Sequence, residues 1–177
     1  MKTIVQDGTP VLRETAKEVP EELFGSEELS QIIVDMAEAL DQEPDGVALA
    51  APQIGISYRI FIVRKDRTLP PPPLDMPPHT PQVEVFINPE IIKTSRKRQH
   101  MDEGCLSVRG IYGTTYRHER VSIRARREDG STFERGGGGL LAQIFEHETD
   151  HLNGILFIDH AEQLVELQHT HSESNAA

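Results

Sequence analysis

Between Gly136-Gly137-Gly138-Gly139 and Asn153-Gly154 lies the most constraining stretch of this chain, in which His147 and His151 stand four residues apart around Glu148. A run of four glycines does not readily extend a regular element. The apolar spacing that follows it (Leu140, Leu141, Ile144, Phe145, Leu152) is helical. Asn-Gly is favoured where a helix must stop in a left-handed conformation, so the pattern predicts a helix over 140–153. Positions i and i+4 lie one above the other, which lets both imidazoles converge on one point. Leu140, Ile144, His147 and His151 then share a buried stripe. Glu148 is offset around the helix, close enough to reach a metal-bound water without ligating the metal. Two histidines around a glutamate at this spacing read as a metal site with its general base. The alternative, two core histidines, needs a separate buried partner for each ring.

A catalytic metal needs at least a third protein ligand. A third histidine six residues after the second is missing, since Phe157 stands there. Downstream carboxylates are available at Asp159, Glu162 and Glu166, but the last two sit on a polar-faced amphipathic stretch suited to solvent. The better candidate is Cys105, the chain's single cysteine, in Glu103-Gly104-Cys105-Leu106-Ser107. A lone cysteine forms no intrachain disulfide, and its neighbours do not look like core filler. No Gly-x-Ser-x-Gly elbow competes with a metal mechanism, and Ser107 has no obvious base.

Glu103 to Ser107, His147 to His151, and Gly46-Val47-Ala48-Leu49-Ala50-Ala51-Pro52-Gln53 resemble, in order and separation, the three signature motifs of the peptide deformylases. Pro10-Val11-Leu12-Arg13 and the stretch Leu152 to Asp159 extend the likeness over residues 3–160. The resemblance implies an enzyme that removes the formyl group from the N-terminal formyl-methionine of nascent polypeptides, releasing formate. It implies metal ligation by Cys105, His147 and His151, with Glu148 as general base and then acid. Gln53 and the backbone N–H of Leu106 would be the oxyanion donors. Gly46, Val47, Ala48, Glu103, Gly104, Leu140 and Ile144 would surround the substrate, with Val47, Leu140 and Ile144 walling the methionine pocket. Two imidazoles and a thiolate suit zinc on ligand chemistry alone. The resemblance implies ferrous iron, with Zn2+, Ni2+ or Co2+ able to occupy the site.

The chain departs from the family pattern at four points. Ala48 replaces a second glycine, Arg109 a common proline, Tyr112 a frequent arginine, and Glu146 a common glutamine. None removes a ligand, the base or the oxyanion donor. Two other function classes are weighed against deformylation. An endopeptidase on the same helix would leave Cys105 without a role. A metal-holding binding module would need neither Glu148 nor Gln53.

Composition fits one compact catalytic domain over 1–168, with 37% hydrophobic residues in a chain of 177. No apolar run of about 18 residues and no charged-then-apolar leader is present, so no membrane span or secretory signal is expected. A cytoplasmic location is the default expectation, and an organelle form stripped of its transit segment fits as well. Charge is uneven: residues 1–45 carry 3 Lys/Arg against 12 Asp/Glu, and residues 91–135 carry 11 against 6. The net charge of −11 opposes general polyanion affinity, so the basic run Ser95-Arg96-Lys97-Arg98 reads as a solvated strand edge or hairpin with charge-protected edges, and no direct nucleic-acid binding is expected. A basic C-terminal ribosome-docking helix, known in some deformylases, finds no support, because residues 161–177 carry three glutamates and no Lys or Arg.

Ser26 caps a predicted helix to Leu40, with Ile32, Ile33, Met36 and Leu40 inside. Strands are predicted at Ile56–Val63, Val83–Asn88, Ile91–Lys93, Arg120–Arg127 and near Thr132–Glu134, with Asp129-Gly130 as a hairpin turn. Leu69 to Pro81 holds seven of the twelve prolines and reads as an exposed loop, an insertion. Residues 169–177, with His169 and His171, read as a disordered tail. The predicted fold is α+β, with antiparallel strands packed around a central C-terminal metal-binding helix.

Overall fold

The computed structural model describes residues 2–167, so the tail reading for 169–177 lies outside the described residues. The first helix, α1 (Glu27–Asp41), opens at Ser26, whose hydroxyl accepts from the Leu29 N–H at 3.2 Å. It buries Leu29, Ile32, Ile33, Met36 and Leu40. The strands β1 (Ala48–Ala50), β2 (Ile60–Arg64), β3 (Val83–Thr94), β6 (Arg120–Arg126) and β7 (Thr132–Gly138) form a five-stranded sheet in the order β1-β2-β3-β6-β7. A second sheet has the order β4-β5-β8, from Arg98–Cys105, Val108–His118 and Glu162–Glu166. All pairings within the two sheets are antiparallel.

Helix α2 (Leu140–Leu152) packs on β1, β3, β6 and β7 of the large sheet and on β5 of the small one. The expected architecture of antiparallel strands around a central helix is therefore the one found. Phe145 anchors α2: its ring meets Phe86 edge-on at 5.4 Å, and Phe86 stacks on Phe61 at 4.6 Å. Such aromatic pairs add about 0.5–1.5 kcal/mol each beyond their burial.

Several element boundaries differ from the sequence reading. Strand β2 starts at Ile60, because Tyr58 makes only an isolated bridge to Lys17. The two segments expected at 83–88 and 91–93 are one strand, β3, whose pairing with β6 slips between Ile87 and Glu90. That slip breaks the alternation that would have shown continuity. The hairpin β4–β5 is the largest element missed. The glycine run does extend an element: Gly136–Gly138 complete β7, pairing with Ser122, Val121 and Arg120. A backbone ladder needs no side chains, and Leu141 fills the space over Gly137, where an added Cβ would lie 2.7 Å from its Cγ. Glu162 and Glu166 belong to an exposed strand, β8. The proline-rich loop is exposed almost throughout.

Candidate active site

Helix α2 and the β4–β5 hairpin meet to form the site. His147 and His151, one helical turn apart, bring their ring centroids to 4.9 Å. Cys105 ends β4, and its Sγ lies 3.2 Å from His151 Nε2. One donor atom each from Cys105, His147 and His151 falls within 4.8 Å of the other two. Tetrahedral donors at metal distances of about 2.0–2.3 Å stand roughly 3.5 Å apart, so this set fits a small divalent ion. The competing third ligands are elsewhere. Asp159 is paired to Arg13 at 2.6 Å, Glu162 and Glu166 face solvent, and Phe157 stacks against His147 at 6.3 Å.

Glu103 and Cys105 are two apart on β4 and so share a face. Glu103 lines the cleft floor, but its carboxylate is turned inward rather than toward a substrate. It accepts from His147 Nδ1 (2.6 Å), Arg117 Nη2 (2.6 Å) and Nε (3.1 Å), Thr115 Oγ1 (2.6 Å) and Gln143 Nε2 (3.1 Å). Holding Nδ1 leaves His147 Nε2 for an ion, the usual arrangement behind a ligating histidine. Arg117 also reaches Asp150 at 2.7 Å, tying the hairpin to α2 on both sides of His147. Burial pushes the Glu103 carboxyl up, but hydrogen bonds from His147 and Arg117 outweigh it and hold it well below the usual carboxylate range. Burial likewise works against the His147 imidazolium, yet hydrogen bonds to Cys105 and Glu103 hold its pKa well above the ordinary value. For His151, burial and then the neighbouring His147 push it well below, which keeps that ring neutral and ready to ligate.

Glu148 is buried, and its Oε2 finds no hydrogen-bond partner among the described residues. Burial raises its pKa to about 7, with His147 opposing and Glu103 and Asp150 adding. Gln53 sits in a 3-10 turn, Ala51–Ile54, just after β1. Its Oε1 accepts from Ala50 N at 2.8 Å, which fixes Nε2 toward Ser107 Oγ (3.2 Å) and Cys105 Sγ (3.6 Å). Leu106 occupies the hairpin turn, its carbonyl accepting from Gln6 Nε2 at 2.9 Å.

A cleft of about 260 Å³ opens above these groups. Gly46, Val47 and Ala48 form one wall, Gly104 to Leu106 another, and Ile144 with Leu140 a third. Leu140, expected on the buried stripe, is 43% exposed at the rim. Tyr112 lies so close over Gly104 that a Cβ there would sit 2.7 Å from its ring. Arg109 crosses the rim to Glu43 at 2.6 Å, and Glu146 accepts from the His118 backbone N–H (2.9 Å) and contacts its Nδ1 (2.6 Å). Arg109 and Tyr112 thus sit at the cleft rim and Glu146 on the back of α2, and none is bonded to the Cys105–His147–His151 cluster.

With this geometry in view, the sequence matches the polypeptide deformylase family over residues 1–166. The chain belongs to that family. It is 42% identical over 153 residues to a peptide deformylase of Dehalococcoides mccartyi, covering 86% of this chain and 81% of the relative. A peptide deformylase of Thermomicrobium roseum is 37% identical across 98% of this chain and 93% of its own. Among solved structures, a Met-Ala-Ser-bound class I type b peptide deformylase from Acinetobacter baumannii superposes with a TM-score of 0.77 at 34% identity. That match covers 90% of this chain and 98% of the other. As a deformylase, this enzyme is metal-dependent and removes the N-formyl group from nascent chains. Among the described residues no helix is long and apolar enough to cross a membrane.

Thr115, Arg117 and Gln143 are the site residues that sequence reasoning missed. The usable signal was the inward alternation Gly113, Thr115, Arg117 on β5, all buried. It becomes readable only once the strand itself is recognised.

Proposed function

We propose that Cys105, His147 and His151 hold one divalent ion, natively ferrous iron with zinc, nickel or cobalt able to replace it, and that Glu148 moves the proton in formyl hydrolysis. The carrying observation is the buried Glu148 Oε2, without a hydrogen-bond partner among the described residues, on the same helix as the two histidines. A bound ion supplies Lewis acidity to the formyl oxygen and to water. Glu148 takes the proton of the attacking water as the oxygen–carbon bond forms. It returns that proton to the methionine nitrogen as the carbon–nitrogen bond breaks and formate leaves. Gln53 Nε2 and the Leu106 N–H donate to the oxyanion. A pKa of about 7 suits a group that must accept and then give a proton near neutral pH.

The methionine side chain packs among Val47, Leu140 and Ile144, with Gly104 on the opposite wall. Strand β1 is an edge strand, paired among the described residues to β2 alone. Its outer edge at Ala48, beside the Gly46–Val47 segment that lines the cleft, suits an extended substrate backbone added as a further strand.

The test is anaerobic incubation of iron-loaded protein with formyl-Met-Ala-Ser, following formate and free amine together. Equal amounts of both, with the two peptide bonds intact, are expected. Internal cleavage, or no product from fully loaded protein, would overturn the assignment.

A further inference from the structure

We infer that the corner where the β3–β4 and β5–β6 turns meet is a docking surface for RNA, the phosphate-rich material of the ribosomal surface where formylated chains appear. Lys93, Arg96, Lys97, Arg98 and Arg120 are all exposed there. They come from two turns pinned together: Ser95 N–H donates to Arg120 O (2.9 Å), Arg120 N–H to Ser95 Oγ (3.1 Å) and Glu119 N–H to Lys97 O (3.1 Å). Glu119 is the acid within the two turns, and it is committed to Lys97 at 2.7 Å; Glu146 lies behind them, held by His118 at 2.6 Å. The exposed side chains of these turns are thus five cations against the one carboxylate of Glu119, on a chain whose net charge is −11. Lys93, Arg96 and Arg120 have no carboxylate partner among the described residues. Arg98 lies over the Tyr116 ring at 4.6 Å, with His100 against the same ring at 4.9 Å.

This inference departs from the expectation of no direct nucleic-acid binding, which rested on the net charge and on reading the basic run as a charge-protected edge. The acidic remainder makes the corner more selective, because a polyanion is repelled everywhere else and the approach is oriented. An anionic lipid surface fits less well. The turns offer Thr94 and Ser95 between the cations and no apolar side chain to insert, and charge alone gives weak, reversible membrane attachment. Docking here leaves the cleft free: Arg98 and Cys105 are the two ends of β4, roughly 23 Å apart at strand rise.

The test measures binding of the full-length, metal-loaded protein to intact ribosomes by cosedimentation and to a labelled ribosomal RNA stem-loop by anisotropy. Anionic phosphatidylglycerol vesicles serve as the comparison probe. For about four phosphate contacts, log K should fall with log salt at a slope of roughly −3. K93E/R96E/R120E should bind RNA and ribosomes at least about tenfold more weakly with a slope near zero. All three positions lie outside the catalytic machinery, so formyl-Met-Ala-Ser turnover should be unchanged, which also reports that the variant folds. Salt-independent binding, binding insensitive to the reversal, or vesicle binding as strong as RNA binding would each overturn the inference. A failure of deformylation itself would appear in the peptide assay alone.

Discussion

Replacing Glu103 by Gln should separate what holds the fold from what aims a metal ligand. The carboxylate takes five contacts from Arg117, Thr115, Gln143 and His147, and both it and Arg117 are buried, at 6% and 4% exposure. An amide keeps the shape but offers one acceptor oxygen, so its NH2 must face at least one donor. Breaking a buried pair this way costs about 3–5 kcal/mol, and Asp150, still on Arg117 at 2.7 Å, argues for the lower end. About 3 kcal/mol is a large part of the roughly 5–15 kcal/mol that domains possess, and predicts a Tm lower by about 6–12 °C. Metal affinity should fall by about 10- to 100-fold because His147 loses the acceptor that orients its ring. Urea unfolding followed by circular dichroism and a metal-competition titration read the two effects. The double variant Glu103→Leu/Arg117→Leu should recover part of the stability, since the buried pair itself is gone while Asp150, His147, Thr115 and Gln143 lose their partners, and should keep the weak metal binding. A Glu103→Gln protein within about 1 kcal/mol of the parent and with unchanged metal affinity would refute the reasoning.

Glu148→Gln should retain one ion per chain by elemental analysis while kcat drops by about 10²–10⁴, because the ligands remain and the proton carrier does not. Val47→Trp should raise KM for formyl-methionyl peptides, and unchanged kinetics would put the methionine pocket elsewhere. Asp66, held at about 2 against an ordinary 3.8 by hydrogen bonds from Arg64 and the Gln82 N–H, stabilises the fold fully above pH 3.8 and loses that contribution as pH falls through about 2. The stability gap between wild type and Asp66→Asn, measured by thermal unfolding across pH, should therefore be widest near neutrality and narrow in acid. Gly137→Ala should destabilise by about 1–3 kcal/mol through its collision with Leu141, while Gly136→Ala, 3.6 Å from Ser122 Oγ, should be tolerated far better in the same denaturation assay.

What was legible in the sequence was whatever repeats locally. The α2 pattern and the Ser26 cap each follow from residues a few positions apart, and both lie where expected. Cys105 was found by its chemistry rather than its surroundings. The β4–β5 hairpin was not legible: Arg98, His100 and Asp102 on one face, and Glu103, Thr115 and Arg117 on the buried one, are polar, so hydropathy carries no alternation there. Its inward face is polar because it serves His147. The same function that makes the hairpin necessary hides it from a hydrophobic reading. Gly136–Gly138 misled for a related reason, since their strand is defined by a partner's backbone and by Leu141, neither visible in the glycines themselves.

The central position of α2 also sets the order in which the enzyme comes into being. Cys105 and Gln53 leave the synthetic machinery well before His147 and His151, and the helix that carries the histidines must then dock between two sheets built from distant strands. Such non-local closure is slow compared with helix formation. Until it happens the sulfur has no imidazole neighbours and is open to oxidation, and no three-ligand site exists for an ion to enter. Metal capture is thus tied to the docking of α2, and a preparation's metal content reports how many of its molecules completed it.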